Sequence, residues 1–327
     1  MQSLSIVRRL AASALLAAAV LPGLAAAAGY PERPITMIVP FAPGGNVDAT
    51  ARALGPVLAK QLGQAVVIDN RAGAGGTIGS ALVARAPADG YTLMVGSTAT
   101  NATAPAFMNA SYDPVKDFTS LGAISVTPSV IVVAAGSPVK TYAELLTLSH
   151  ARATGLNMGS PGTGSLNHLT TELLEQKTGL NATHIPYKGA GPALTDLMGG
   201  QLDAMVDQLS SSSPLISSGR LRAIAQTGAA RSPLLPDVPT LHEQQVHEVD
   251  VAVYTGLFAP ARLPAEVQAT LVQALQQALQ SPEFLERLKA QGSEPMPMSQ
   301  TEFADFVSAE AARWRNVIQS TGLAGKG

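Results

Sequence analysis

The chain contains no cysteine. That excludes thiol nucleophiles, disulfide frameworks, Cys-ligated zinc and iron–sulfur clusters, as well as a lipid-attached cysteine near the amino terminus. Aromatic residues make up only 4% of the 327 residues, too few for base-stacking platforms. Charged residues are scarce at 13% and nearly balanced, 21 Lys and Arg against 23 Asp and Glu. That balance offers no basic face of the kind nucleic acid requires. After Tyr30 no apolar run reaches bilayer-spanning length. What the chain does have is a hydrophobic content of 46%, which can bury a large core and argues against disorder. Its length predicts about two domains.

The first 28 residues read as a secretory signal peptide. Arg8 and Arg9 form a basic start, and Leu10 to Leu21 is an apolar stretch too short to span a bilayer. Pro22 and Gly23 break it, and Ala25 to Ala28 supply small residues for cleavage. The expected mature protein is exported, soluble and not a lipoprotein.

From residue 35 onward, apolar runs alternate with helical spacing. Ile35 to Pro40, Ala65 to Asp69 and Tyr91 to Gly96 predict strands, with helices over Val47 to Leu62 and Thr77 to Ala86. The same grammar restarts near Ser129. Strands are predicted over Val130 to Val133, Leu156 to Gly159, Thr183 to Tyr187, Asp203 to Asp207 and Leu221 to Ala225. Helices fall between them over Thr141 to Ser149, Ser165 to Lys177 and Pro192 to Met198. After the Pro-rich Ser232 to Pro239, the tail offers a strand at Val253 to Phe258 and helices over Pro264 to Gln280 and Thr301 to Ser320. Such a pattern implies an α/β fold with helices on both faces of largely parallel sheets, which bind ligands at the carboxyl ends of the strands.

Several motifs fail on spacing. Gly73, Gly75, Gly76 and Gly79 follow a strand, but the third glycine of a dinucleotide fingerprint would fall on Ile78. No nucleotide or other cofactor is expected. Ser137-Pro138-Val139-Lys140 and Lys177-Thr178-Gly179 match penicillin-recognising motifs, yet the first carries a proline and the second ends a helix. His242-Glu243-Gln244-Gln245-Val246-His247 misses the zinc-protease spacing by one residue, and no metal site is expected. Ser160 lacks the glycine two residues earlier that a nucleophile elbow needs, since Met158 stands there.

What remains is a set of anion-friendly turns. Phe41-Ala42-Pro43-Gly44-Gly45-Asn46 joins a strand to a helix start, where backbone N–H groups and about half a positive charge can receive a carboxylate. Ser160-Pro161-Gly162-Thr163-Gly164-Ser165 repeats the device, and Ser165 can also cap the next helix. Ser97-Thr98-Ala99-Thr100-Asn101 is a third, hydroxyl-rich turn. His168 suits either a ligand or a backbone hydrogen bond. Asp48 and Asp207 suit either a helix end or a ligand ammonium group, with the helix end favoured for Asp48. Met158 and Met205 read as core.

On these residues the chain resembles the periplasmic solute-binding receptors of tripartite tricarboxylate transporters, the Bug or TctC-like proteins. The matching segments are Tyr30 to Ile35, Val39 to Gly45 with Asp48, Asn70 to Gly76, Pro87 to Tyr91, and Tyr112 to Pro114 with Asp117 and Phe118. Further on they are Gly159 to Ser165 with His168, Pro186 to Gly189, Asp196 to Asp203 and Leu235 to Thr240. Tyr254 stands where a tryptophan is frequent, a change that bears on pocket shape rather than on the assignment. The resemblance implies a type II Venus-flytrap fold with two crossing strands: one domain from 29–125 plus 230–327, the other from 126–229. It implies a small carboxylate held in the cleft by Phe41 to Asn46, Ser97, Thr98, Thr100, Asn101, Ser160, Thr163, Gly164 and Ser165, together with His168 and Asp207. The implied partners are the permease subunits of a tripartite transporter, and the implied state is a monomer. The rival reading is an exported hydrolase or lyase on a similar scaffold, which needs a base within hydrogen-bond reach of Ser160 or Ser165.

Overall fold

The computed structural model describes residues 29–320 apart from positions 109, 248 and 250. The signal peptide expected over residues 1–28 lies outside the described residues. Strand β1 (Ile35–Val39) is buried on both faces, as its β-branched, uninterrupted apolar run requires. It leads into helix α1 (Asn46–Leu62), which starts at extended Gly45 and stops at Gly63, whose φ of 67° suits glycine. Strands β2 (Val66–Asn70) and β3 (Thr92–Ser97) flank β1 in parallel. Between them lies α2 (Thr77–Ala84), and a π turn at 99–103 after β3 leads into α3 (Ala104–Met108).

The strand β4 (Phe118–Ala134) is 17 residues long. The sequence pattern predicts only its second half, because Gly122, Ser125, Thr127 and Pro128 interrupt the apolar run of the first. The second lobe follows: α4 (Tyr142–Ala151), β5 (Leu156–Ser160), α5 (Leu166–Thr178), β6 (Ala182–Pro186) and α6 (Ala190–Met198). Then come β7 (Ala204–Gln208), α7 (Leu209–Ser217) and β8 (Leu221–Gln226). The chain returns through β9 (Ala252–Pro260), α8 (Ala265–Leu279), α9 (Pro282–Ala290), β10 (Glu294–Pro295) and α10 (Gln300–Ser320). Helices α7 and α9 are not evident in the sequence pattern. Serine and proline, which dominate α7, are weak helix formers.

The strands form one curled array in the order β2-β1-β3-β9-β4-β7-β5-β6, with β8 and β10 also on β4. Strand β4 pairs with β9 from Phe118 to Pro128, then with β7 and β8 from Ser129 to Ala134. It therefore belongs to both lobes and forms one crossing. The other runs from β8 through 227–251 into β9. It lies beside β4 where the Thr227 N–H bonds Ser129 O at 2.9 Å and Pro128 pairs with Ala252.

Helices cover both faces of each lobe. Leu54 and Leu58 of α1 and Leu271 and Leu275 of α8 pack on one face of the first lobe. Phe258 of β9 and Phe303 and Val307 of α10 pack on the other. In the second lobe Met158 and Leu174 share one cluster, and Met205 and Leu194 another. Leu241 and Val249 pack with Met158, so the segment between the crossings rests on the second lobe.

Phe258 is fully buried and meets both Phe118 and Phe303 edge-on or tilted. Phe258→Ala is expected to destabilise the fold by about 3–5 kcal/mol in urea unfolding. A loss below about 1 kcal/mol would show that this cluster does not anchor the first lobe.

Candidate functional site

The carboxyl ends of β1, β3, β5 and β7 face one another across the two lobes. A narrow cavity of about 400 Å³, counting the part open to solvent, lies between them. From the first lobe it is lined by Phe41, Gly45, Asn46, Val47, Ser97 and Ala99, with Val253 at the crossing. The second lobe contributes Pro161, Ser165, Leu166 and Asn167, with Ala190 and Gln208. None of these side chains is charged. Three helix starts open onto the cavity instead: α1 at Gly45, α5 at Ser165 and α6 at Gly189, next to Ala190. Each carries unpaired first-turn N–H groups and about half a positive charge.

The β1–α1 loop is only partly available to a ligand. The Ala42 N–H donates across the cleft to Lys188 O at 3.0 Å, and the Gly44 N–H donates to Asp48 Oδ2 at 3.0 Å. Asp48 also accepts from Arg52 and Asn70, and these partners hold its carboxyl below the usual range against the upward push of burial. Asp48 is thus a helix-end stabiliser. Asn46 differs. Its Oδ1 accepts from Ser210 of the second lobe at 2.6 Å and from Thr127 of the crossing strand at 3.2 Å. Its Nδ2 is buried with no partner among the described residues.

Of the third turn, Ser97 and Ala99 reach the cavity. Thr98 Oγ1 accepts from the Tyr254 N–H at 3.1 Å, Thr100 donates to Asn101 Oδ1 at 2.7 Å, and Asn101 bonds Pro114 O. These three shape the turn. Tyr254 packs into the core against Phe303 and Phe306 and does not line the cavity.

In the second loop Ser165 caps α5 through the His168 N–H. His168 is buried: its Nδ1 accepts from the Gly164 N–H at 3.2 Å and its Nε2 lies 3.5 Å from Glu172. Of its two open roles, the backbone bond is the one formed. Gly164 O accepts from Thr103 of the first lobe at 2.7 Å, a third bond across the cleft. Thr163 contributes its carbonyl, which lies against Gly75.

Ser160 has a base in reach, since its Oγ lies 2.6 Å from His184 Nε2. The geometry is that of a loop staple. Ser160 is fully buried, bonds both N–H and O of Gly162, and is not on the cavity wall. His184 stacks on His168 at 3.8 Å, and burial together with that neighbour lowers its pKa to about 4, against the pull of Glu172. Asp207 is fully buried and is not on the cavity wall: its Oδ2 accepts from Ser211 and Ser212 of α7, and its Oδ1 has no partner among the described residues. Among the described residues no group of three or more His, Asp or Glu side chains forms a metal-binding cluster.

Val253 apart, the cavity residues not foreseen sit beside ones that were. Leu166 and Asn167 follow Ser165, and Gln208 follows Asp207. Ala190 follows the Pro186 to Gly189 motif, and Pro161 lies inside the second loop. The strand-end rule, extended by one residue at each loop, would have found most of them.

The geometry defines a two-lobed binding protein with its ligand site in the cleft. The chain belongs to the tripartite tricarboxylate transporter family receptor group, whose family model matches residues 50–323. It is 36% identical to BugT of Bordetella pertussis over 299 residues, 90% of each chain. The solved structure of the periplasmic binding protein BugD superposes with a TM-score of 0.87 at 36% identity, covering 90% of this chain and 99% of that one. MatC of Rhodopseudomonas palustris, solved with malate, gives 0.84 at 35% identity, covering 88% and 100%. A second Rhodopseudomonas palustris protein, solved with adipate, gives 0.86 at 36% identity, covering 90% and 99%. The chain is a periplasmic solute-binding receptor of the tripartite tricarboxylate transporter family.

Two expected outcomes follow from this geometry. A Cβ on Gly191, in the first turn of α6, would run into Pro43 O across the cleft, while its own backbone conformation tolerates a side chain. Gly191→Ala should therefore leave the fold intact, since alanine favours helix by about 1 kcal/mol. It should weaken ligand binding at least about tenfold by calorimetry, or about 1.4 kcal/mol. An unchanged affinity would mean that ligand binds without this approach of the lobes.

Burial raises the Asp207 carboxyl to about 6 from its ordinary 3.8, against the pull of its hydroxyl and backbone donors. A raised acid stabilises the fold fully below its unfolded value and loses that contribution as pH rises through the folded value. Asp207→Asn should thus gain about 3 kcal/mol relative to wild type between pH 4 and pH 7. Urea titrations at the two pH values check this, and an identical stability difference at both would refute it.

Proposed function

We propose that the receptor works by closing two lobes over a small carboxylate ligand, one lobe from 29–125 plus 230–327, the other from 126–229, against which Leu241 and Val249 pack. The observation that carries this reading is the backbone bond from Ala42 to Lys188 O, made across a cavity with no charged lining. Phe41, Gly45, Asn46, Ser97 and Ser165 are the contacts proposed for the ligand. Ala42, Pro43, Gly44, Thr163 and Gly164 serve the meeting of the lobes. Residues 1–28 act as a removable export signal without lipid attachment.

The receptor performs no chemistry of its own. Ser160 and His184 brace the second loop, because neither is on the cavity wall and the hydroxyl already bonds Gly162. It acts as a monomer: among the exposed large apolar side chains of the described residues, Ile78 and Leu82 lie one turn apart on α2, a pair too small for an obligate interface.

Small-angle scattering should show contraction when a confirmed carboxylate ligand is added to an open, ligand-free sample. No contraction from an open state would sink the closure mechanism. Wild type and Ser160→Ala are expected to show the same background turnover on esters and β-lactams. Any serine-dependent hydrolysis would restore the hydrolase reading.

A further inference from the structure

We infer that Gln208 determines ligand specificity: it turns a fixed acceptor to the cavity and so selects carboxylates that carry a neighbouring hydroxyl over those that do not. The inference rests on the carboxylate-receptor reading above. Donors are plentiful on the wall. The first-turn N–H groups of Leu166 and Asn167 at the start of α5 have no acceptor among the described residues, and Asn46 Nδ2 is likewise unpaired. The Ser97 hydroxyl, also on the wall, can rotate to donate or accept. These groups suit an anion.

Gln208 is of the opposite kind. The order of its amide is settled by a relay that ends on the backbone. Val206 O can only accept, so the Asn167 atom 2.7 Å from it is the donor Nδ2. Asn167 Oδ1 is thereby left to face Gln208 at 2.9 Å, and the Gln208 atom that meets it is the donor Nε2. Oε1 is then the free end of the amide, and it accepts from no group among the described residues. Gln208 is buried, yet Oε1 is not one of the side-chain atoms sealed away without a partner. The space it borders is the cavity, which Gln208 lines.

A ligand that fills this narrow space displaces the water that would otherwise serve Oε1. A methylene set there leaves a desolvated acceptor unpaired, and a carboxylate oxygen sets an anion against a lone pair. A hydroxyl donates to it. An ammonium group could donate too, but no carboxylate side chain on the wall offsets its charge, and the helix starts add positive partial charge. The same relay gives the position of the hydroxyl. Asn167 holds Gln208 through its side chain and offers its own N–H at the start of α5, so the acceptor and an anion donor belong to neighbouring groups. A 2-hydroxy acid, whose hydroxyl sits on the carbon next to the carboxylate, matches that juxtaposition.

Matched acids test the inference on the purified mature receptor: lactate against propanoate, 2-hydroxyglutarate against glutarate, and mandelate against phenylacetate. Calorimetry is expected to show the hydroxy acid binding at least about tenfold more tightly in at least one pair, and the deoxy acid favoured in none. Binding without that preference overturns the inference and leaves carboxylate capture intact. Binding of no acid in the set overturns both. Alanine, run beside lactate, should bind more weakly, and tighter binding of alanine would overturn the assignment of a hydroxyl. Gln208→Met keeps the length of the side chain and removes Oε1. It should bring the preferred pair to within about threefold of parity while the deoxy acid keeps its affinity. A merely structural loss would weaken both acids alike and leave their ratio unchanged, and a ratio that survives in the folded variant overturns the role of Gln208. The wild-type pairs decide the ligand class whether or not that variant folds.

Discussion

Strand β4 makes hydrogen bonds in both lobes, and that shared backbone fixes where the two halves of the cavity meet. The return crossing lies against it at residues 127–129, so the chain passes twice through one narrow waist. At the waist the lobes are joined by side chains: Thr127 reaches both Asn46 and Ser293, and Asn46 reaches Ser210. Farther out the contacts change character. There they are backbone groups against glycines or alanine, with Ala42 on Lys188 and Pro43 on Gly191. Small residues let the two lobes approach closely there, while on the other flank Phe107 packs edge-on against His168 and Thr103 donates to Gly164 O. At the waist, by contrast, specific side-chain bonds tie Asn46 and Thr127 to partners on both sides.

The electrostatics follow from the same arrangement. Parallel strands followed by helices place helix starts on the side where the lobes face each other. A cleft built this way acquires positive potential from backbone dipoles alone. The site therefore needs no lysine or arginine, consistent with a chain in which charge is scarce throughout. Charged side chains serve elsewhere. Asp48 with Arg52 and Asn70 pins the first loop, and Arg222 ties three backbone carbonyls at the far end of the second lobe.

Most of the architecture is legible in the sequence because its periodicity is local. Strands β1, β2 and β3 and helix α1 announce themselves by runs of apolar residues and by bounding glycines. The first half of β4 does not, because Ser125 and Thr127 sit where a core strand would carry aliphatic side chains. They bond Thr255 and Ser293 instead, partners 130 or more residues away. The π turn after β3 is hidden for a similar reason, its threonine and asparagine side chains being spent on each other. At the site the loops are readable as places, since glycine, serine and proline mark strand-to-helix turns. Which N–H of a loop faces the ligand is not readable. Gly44 looks like a donor until Asp48 is seen to occupy it, and Asn46 is one more loop residue until its Oδ1 is found bonded to the other lobe. His168 and Thr100 were recognisable as polar residues near the cleft, but only tertiary contacts show them turned to the backbone.

The second lobe buries two groups whose titrations run in opposite senses. His184 resists protonation down to about pH 4, so its surroundings lose stability as acid rises from pH 6.5. Asp207 takes up its proton near pH 6, so its surroundings gain stability over almost the same interval. The native lobe thus binds about as many protons as the unfolded one through these two sites, and the proton drops out of the folding balance between them. The interior of the lobe thereby keeps two ionisable groups whose proton uptakes on folding offset each other.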